Sequence, residues 1–330
     1  MGLCFMSIKI IHFSTSPLVG APSKIAAAQR MLGFDAISVY ENDYPQHGGL
    51  AGKFVEDSLK FNSGDVVQDG LLLNKLKHCD IVHIHNSISA ELVSFIKRNA
   101  CSARYIYHVH SPLREGPLYI ERHDHLSLPF EKWLAVAQYQ PRHYPKFIPV
   151  PNLVLSVPNF SPKKERELLR VMYTPTHKRG GRWNSKYSEA LENAISSLSR
   201  NKKVEVITPE KPLHPALLME VRKNCHVSID EIATGAYHQV SLEGLCAGNV
   251  VINKADYFSK AMLSRFCGNE SPPFVYADHD NIFDLLSELA NNSEKVNIIQ
   301  KKSYEYFNNY LMPQKLVQLY IDIYKDVLQK

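Results

Sequence analysis

Residues 229–253 read IDEIATGAYHQVSLEGLCAGNVVIN. An apolar strand closes at Asp230, a loop with Gly235 follows, a helical run carries Glu243, and past the Ala247-Gly248 turn a strand resumes as NVVIN (249–253). Strand, loop, helix and strand in that order make a βαβ unit, and such units build parallel sheets covered by helices.

Outward from this unit the alternation continues. In the same half stand the strand candidates LLRVMYT (168–174), KVEVIT (203–208) and HVSID (226–230), separated by helical runs near 186–199 and 215–224, with a further helix expected to start near Tyr237. The first half repeats the pattern with SIKIIHF (7–13), DAISVY (35–40), DIVHIH (80–85), RYIYHVH (104–110) and WLAVA (133–137). Its clearest helices are APSKIAAAQRML (21–32) and SISAELVSFIKRN (87–99), the second capped by Ser87 or Ser89.

Between the halves, IPVPNLVLSVPNFSP carries Pro149, Pro151, Pro158 and Pro162, which forbid a continuous helix and favour an extended crossing. The tail from Asn281 reads as consecutive helices. The last one admits Pro313 in its first turn and spaces Leu316, Leu319, Tyr320, Ile323 and Leu328 roughly at helical period. The expected fold class is α/β with two Rossmann-like doubly wound domains, over 1–158 and 159–310, and a C-terminal helix over 311–330 crossing back onto the first.

At 330 residues the chain exceeds what one hydrophobic core usually serves, which agrees with two domains of roughly 150 residues. Its 45% hydrophobic and 22% charged residues exclude a disordered or collagen-like chain. Six cysteines without a C-x-x-C pair point to reduced thiols in the cytoplasm and away from a structural zinc. The opening MGLCFMSIKIIHF lacks a basic leader and a cleavage site, so it reads as a buried strand; Met6 breaks the myristoylation pattern that Met1-Gly2 begins. The net charge of +5 is modest, but Lys163, Lys164, Arg166, Arg170, Lys178, Arg179, Arg182 and Lys186 crowd one stretch. Such a stretch meets phosphates of a small ligand, a nucleic acid or an anionic membrane, or else is a solvated face.

In open α/β sheets ligands bind at the carboxyl ends of strands, where helix N-termini present N–H groups to anions. There the stretch GAYHQVSLEGLCAGNVVI (235–252) resembles the nucleotide-binding signature of retaining GT-B glycosyltransferases of the large family-four type (glycosyl transferases group 1). That signature reads Glu, seven residues, Glu, then a small-residue turn and Pro-Val-Val. Glu243 matches the second glutamate, and the resemblance implies that it accepts hydrogen bonds from the nucleotide ribose; its removal is expected to weaken nucleotide binding with little effect on folding. The first glutamate falls on Gly235, so Asp230 or Glu231 is the substitute for its contact to the donor sugar; Gly235 and Tyr237 complete this stretch of the donor-binding set.

The resemblance extends to MYTPTHKRGGRWNSKY (172–187), where the family places an Arg and a Lys on the donor diphosphate: Arg182 and Lys186 are the candidates, Lys178 and Arg179 the alternates. STSPLVGAPSK (14–24) resembles the glycine loop that faces the donor phosphates, with Gly20 allowing close approach and Ser23 or the helix N-terminus donating. Three His-x-His pairs, His83/His85, His108/His110 and His123/His125, put both imidazoles of each pair on one face of a strand. No metal site is expected from them. His110 matches the family's histidine that points at the donor sugar and is the catalytic candidate; the others are read as cleft-lining or ordinary polar residues.

The resemblance thus implies a glycosyltransferase, retaining and metal-independent, that needs no cofactor beyond its nucleotide-sugar substrate. The acceptor expected is a glycan or lipid-linked glycan of surface polysaccharide assembly, in the cytoplasm and compatible with peripheral contact at the inner membrane face, with no nucleic acid as partner. The alternatives are another GT-B activity, an epimerase or polyol-phosphate transferase, and a non-catalytic nucleotide-sugar-binding subunit. The motifs of both halves are expected to face one interdomain cleft, with the Pro-rich crossing as its hinge.

Overall fold

The computed structural model describes residues 8–42, 58–62, 64–111, 126–165, 167–175, 177–210 and 213–329. The chain divides into two compact units, Met1–Val136 with Gln140–Leu153 and Pro313–Lys330, and Ala137–Tyr139 with Val154–Met312. Among the described residues no helix is long and apolar enough to cross a membrane.

The first unit is built on seven strands: β1 (Lys9–Ser14), β2 (Asp35–Tyr40), β3 (Leu59–Lys60), β4 (Ile81–His85), β5 (Arg104–Val109), β6 (Phe130–Val136) and β7 (Ile148–Val150). They lie in the order β3-β2-β1-β4-β5-β6-β7, and every neighbouring pair is parallel. This is the Rossmann order, and its direction of growth reverses between β1 and β4. Helices α1 (Ala21–Met31), α2 (Val66–Leu76) and α3 (Ala90–Asn99) connect strands. Ser89 is the cap of α3, its hydroxyl accepting from the Leu92 N–H at 3.1 Å. The Pro-rich passage starts as the edge strand β7; Pro149 is tolerated there because an outermost strand can leave one N–H position unpaired.

The second unit has five strands, β8 (Leu169–Tyr173), β9 (Val204–Ile207), β10 (Val227–Ile229), β11 (Val250–Asn253) and β12 (Val275–Tyr276), parallel in the order β12-β11-β10-β8-β9. Its order reverses between β8 and β10. The helices are α4 (Glu189–Arg200), α5 (Pro215–Lys223), α6 (Gln239–Cys246), α7 (Tyr257–Ser264), α8 (Ile282–Asn291) and α9 (Ser293–Tyr306). Each sheet has its own core, the first centred on residues such as Phe13, Ile84, Leu92 and Tyr107, the second on Val171, Leu191, Ile229 and Leu286. The architecture is α/β with two doubly wound sheets.

The last helix, α10 (Pro313–Leu328), belongs to the first unit. Its buried face is Pro313, Leu316, Val317, Tyr320, Ile321, Tyr324 and Val327, while Leu328 is exposed. The stripe expected from Leu319, Ile323 and Leu328 is therefore rotated. Two tyrosine hydroxyls decide the rotation: Tyr320 donates to the Pro151 carbonyl at 2.8 Å, and Tyr324 meets His83 Nδ1 at 2.7 Å.

Candidate active site

Both reversals of strand order open a crevice at the carboxyl ends of two neighbouring strands, the loops on either side diverging in opposite directions. In the second unit these are the loops after β8 and β10. The loop after β8 ends in a short 3-10 turn, Gly181–Lys186, and Lys186 is buried. The side chain of Arg182, in the same turn, lies outside the described residues.

At the end of β10, Asp230 accepts from the His238 N–H (2.6 Å) and the Ser241 hydroxyl (2.7 Å) and meets His238 Nδ1 at 3.1 Å. Burial opposes its charge, but His238, Ser241 and the Lys186 ammonium outweigh it and hold the carboxyl below the usual aspartate range. The loop after β8 is thus coupled in charge to the one after β10. Glu231 folds back on its own loop, accepting from the N–H groups of Ala233 (2.7 Å) and Thr234 (2.9 Å) and from the Thr234 hydroxyl.

Gly235 stands at φ +78°, where a Cβ would lie 3.3 Å from Asp256 Oδ2. A glutamate there would combine left-handed backbone with a second carboxylate beside Asp256. Tyr237 is buried ahead of α6, its ring 5.4 Å from Phe274 and its hydroxyl donating to the Ala137 carbonyl at 2.6 Å. The helix starts at Gln239, two residues later than expected, because His238 takes the cap position in extended backbone.

Glu243 lies in the middle of α6 with its side chain 19% exposed. Its Oε2 accepts at 3.3 Å from Arg222, a guanidinium only 1% exposed at the end of α5, which also donates to Ser228 Oγ at 3.1 Å. Asn249 joins this group, donating to Ser228 Oγ (2.9 Å) and to the Arg222 carbonyl (3.1 Å). This contact to a buried guanidinium stands against the expectation that removing Glu243 has little effect on folding.

In the first unit the loops after β1 and β4 are tied together, Thr15 donating to the Ser87 carbonyl through its N–H (3.0 Å) and its hydroxyl (2.6 Å). The turn that follows strings three left-handed residues, Leu18 (φ 49°), Val19 (φ 56°) and Gly20 (φ 76°), into α1. For the two non-glycine residues this is strained backbone, and the turn is closed internally, the Gly20 N–H donating to the Pro17 carbonyl at 2.8 Å and the Ala21 N–H to the Leu18 carbonyl. Ser23 donates its hydroxyl to the Gly20 carbonyl at 2.9 Å.

The histidines of β1, β4 and β5 form one stacked cluster. His12 pairs in register with His83, and His85 with His108, which puts them on one face of the sheet. Ring centroids stand 4.2 Å apart for His83/His85 and 4.0 Å for His108/His110. His12, His83, His85 and His108 are fully buried, so they are not cleft-lining; His110, past the end of β5, is half-buried. Burial first, then the neighbouring imidazoles, holds His83, His85 and His108 well below the usual histidine range. Burial lowers His12 to about 4 against a raising bond from Gln29, and with His12 it lowers His110 to about 3. All five imidazoles are neutral at pH 7. Two sets, His12/His83/His85 and His85/His108/His110, bring ring nitrogens within 4.8 Å, the spacing at which a metal ion could be held. His123 and His125 lie outside the described residues.

No family model matches the chain, and no curated protein matches it in sequence. Among solved structures, an α-glucosyltransferase in complex with UDP and a 13-mer DNA containing a central A:G mismatch is similar with a TM-score of 0.64 at 12% identity, over 97% of this chain and 99% of its own. The fold is that of the GT-B glycosyltransferases. A glycosyltransferase from Rickettsia africae ESF-5 is similar with a TM-score of 0.58 at 12% identity, over 99% of this chain and all of its own. A sucrose-phosphate synthase from Thermosynechococcus elongatus is similar at 0.57 and 9%, over 97% and 99%.

Within this GT-B fold the residues missed by sequence reading are Arg222, His238, Ser241, His12, Gln29 and Tyr324. Only His12 left a signal: like His83, His85 and His108 it alternates with large apolar residues along its strand, which marks a shared polar face. The others reach their partners through helix packing that no local spacing encodes.

Proposed function

We propose that the chain is a glycosyltransferase that moves a sugar from a nucleoside diphosphate donor to a hydroxyl of a glycan or lipid-linked acceptor. The observation that carries the reading is the unit from β10 to β11. In that unit Glu243, 19% exposed, stands where the signature it resembles has its second glutamate, and the Asp230 carboxyl at the end of β10 is held down in part by Lys186; the fold is shared with a UDP-bound glucosyltransferase, and these together support the reading. Lys186 and Arg182 are assigned to the departing diphosphate, as a point charge and a bidentate fork.

His110 is assigned to a hydroxyl of the donor sugar. A neutral imidazole at that position orients by hydrogen bonding and carries no charge to the transition state. Retention at the sugar, independence of metal, surface polysaccharide assembly and a cytoplasmic site of action are parts of this proposal that rest on the resemblance.

A second reading, a subunit that binds the nucleotide sugar without turning it over, is favoured by the left-handed glycine at the first glutamate position. Release of nucleoside diphosphate separates the two. A panel of nucleotide sugars is incubated with the protein and candidate acceptors, and the transferase reading expects release with at least one donor; His110→Ala should lower turnover more than donor affinity. Binding without any release supports the second reading. The DNA in the similar α-glucosyltransferase structure makes an oligonucleotide a necessary member of the acceptor panel.

A further inference from the structure

We propose that Gln29 is a positioning residue for His110, fixing its ring through His12 and His85 as the Nε2–H tautomer so that a bare Nδ1 is presented as a hydrogen-bond acceptor for a ligand hydroxyl. The observations are three consecutive contacts that run from inside the sheet to its carboxyl end. Gln29 Oε1 stands 2.9 Å from His12 Nε2, His12 Nδ1 stands 2.9 Å from His85 Nε2, and His85 Nδ1 stands 2.7 Å from His110 Nε2.

An amide oxygen only accepts, so His12 must carry its proton on Nε2. A neutral imidazole has one proton, so His12 Nδ1 is a lone pair and His85 must donate from Nε2. By the same step His85 Nδ1 is bare, His110 donates from Nε2, and His110 Nδ1 is left as the acceptor. The neutrality of the three rings at pH 7 is what transmits the choice.

The sense of the chain is set at its inner end. Gln29 Nε2 donates to the Tyr324 hydroxyl at 3.2 Å, and that hydroxyl meets His83 Nδ1 at 2.7 Å, so the amide turns its oxygen to His12. The other end is fixed by backbone: the His110 N–H donates to Asn86 Oδ1 at 2.8 Å and its carbonyl accepts from Gln140 Nε2 at 2.5 Å. The 2.7 and 2.9 Å contacts have the lengths of hydrogen bonds.

The tautomer assignment is independent of the transferase reading; only its consequence for turnover rests on that reading. Long-range nitrogen–proton correlation spectra of the full-length chain with labelled histidines report which ring nitrogen bears the proton. The expected result is Nε2–H for His12, His85 and His110; Nδ1–H at His110, or the reversed pattern along the chain, overturns the proposal. In Gln29→Met, which removes the amide anchor, His110 should become a mixture of tautomers, and Gln29→Glu, which restores an acceptor oxygen, should return it to Nε2–H. A folded Gln29→Met variant with His110 unchanged refutes the role of Gln29, and should that variant not fold, the wild-type spectrum alone decides the sense of the chain. With a turned-over donor, Gln29→Met is expected to lower kcat by roughly tenfold to a hundredfold with little change in KM. An unchanged kcat alongside a shifted tautomer would remove the link to chemistry.

Discussion

Glu243 is assigned two tasks that pull in different directions, the proposed contact to a ribose and neutralisation of Arg222. The guanidinium is 1% exposed, and among the described residues Glu243 is the only carboxylate recorded on it. Removing one partner of a buried ion pair leaves an uncompensated charge, so Glu243→Ala should lose about 3 kcal/mol of stability in urea denaturation. A loss below about 0.5 kcal/mol would show that Arg222 finds water or another partner. Glu243→Gln keeps an oxygen towards Arg222 and is the better variant for reading nucleotide affinity. Glu243 was singled out only by the resemblance of residues 235–252 to the family signature. Arg222 was not, because it reaches Glu243 only when α5 and α6 lie side by side.

The turn from α6 to β11 and the three histidine-bearing strands are fixed by different physics. Gly248 stands at φ +66° and a Cβ there would sit 2.3 Å from the Asn159 carbonyl oxygen. Gly248→Ala therefore combines left-handed strain with a backbone clash and should cost about 2 kcal/mol or more, read as a lowered denaturation midpoint; an unaltered midpoint would mean that the segment at Asn159 yields without cost. The turn was legible, as were nine of the twelve strands, since apolar runs bounded by polar turns carry a local signal; the short β3, β7 and β12 left none. The buried face of α10 was misjudged because either of two overlapping apolar stripes could serve, and the buried Tyr320 and Tyr324 contacts to Pro151 and His83 choose between them.

The buried histidines make a prediction for pH. Their folded pKa values lie below the unfolded value of about 6.5, His12 near about 4 and His110 near about 3. Below pH 6.5 the unfolded chain takes up protons that the folded chain refuses, so stability is full above that pH and is lost as pH falls. Each such group contributes about 1 kcal/mol per pH unit over its window. With five of them the melting temperature should be flat from about pH 7 to 8 and should fall steeply from about pH 6.5 towards 4.5. A flat profile across the lower range would show that the cluster takes protons while folded.

The two units share one design, a parallel sheet whose strand order reverses once and so opens one crevice. Two βαβ halves were visible in the alternation of apolar runs, but the strand orders were not, because pairing between distant strands leaves no local trace. The crevice of the second unit, with Lys186 coupled to Asp230 and with Glu243 on the adjoining helix, is where the nucleotide is assigned. On the proposed assignment the site should select a nucleoside diphosphate over a polyanion of similar charge, because the proposal pairs Lys186 for phosphate with Glu243 for a ribose.

Thermal unfolding with and without ligand tests this most directly. A nucleoside diphosphate at 100 times its dissociation constant should stabilise the folded protein by about 2.7 kcal/mol, the effect should shrink in Glu243→Gln, and a single-stranded oligonucleotide at equal phosphate concentration should leave the transition unmoved. A shift with the oligonucleotide and none with any nucleotide would contradict the assignment of a donor site.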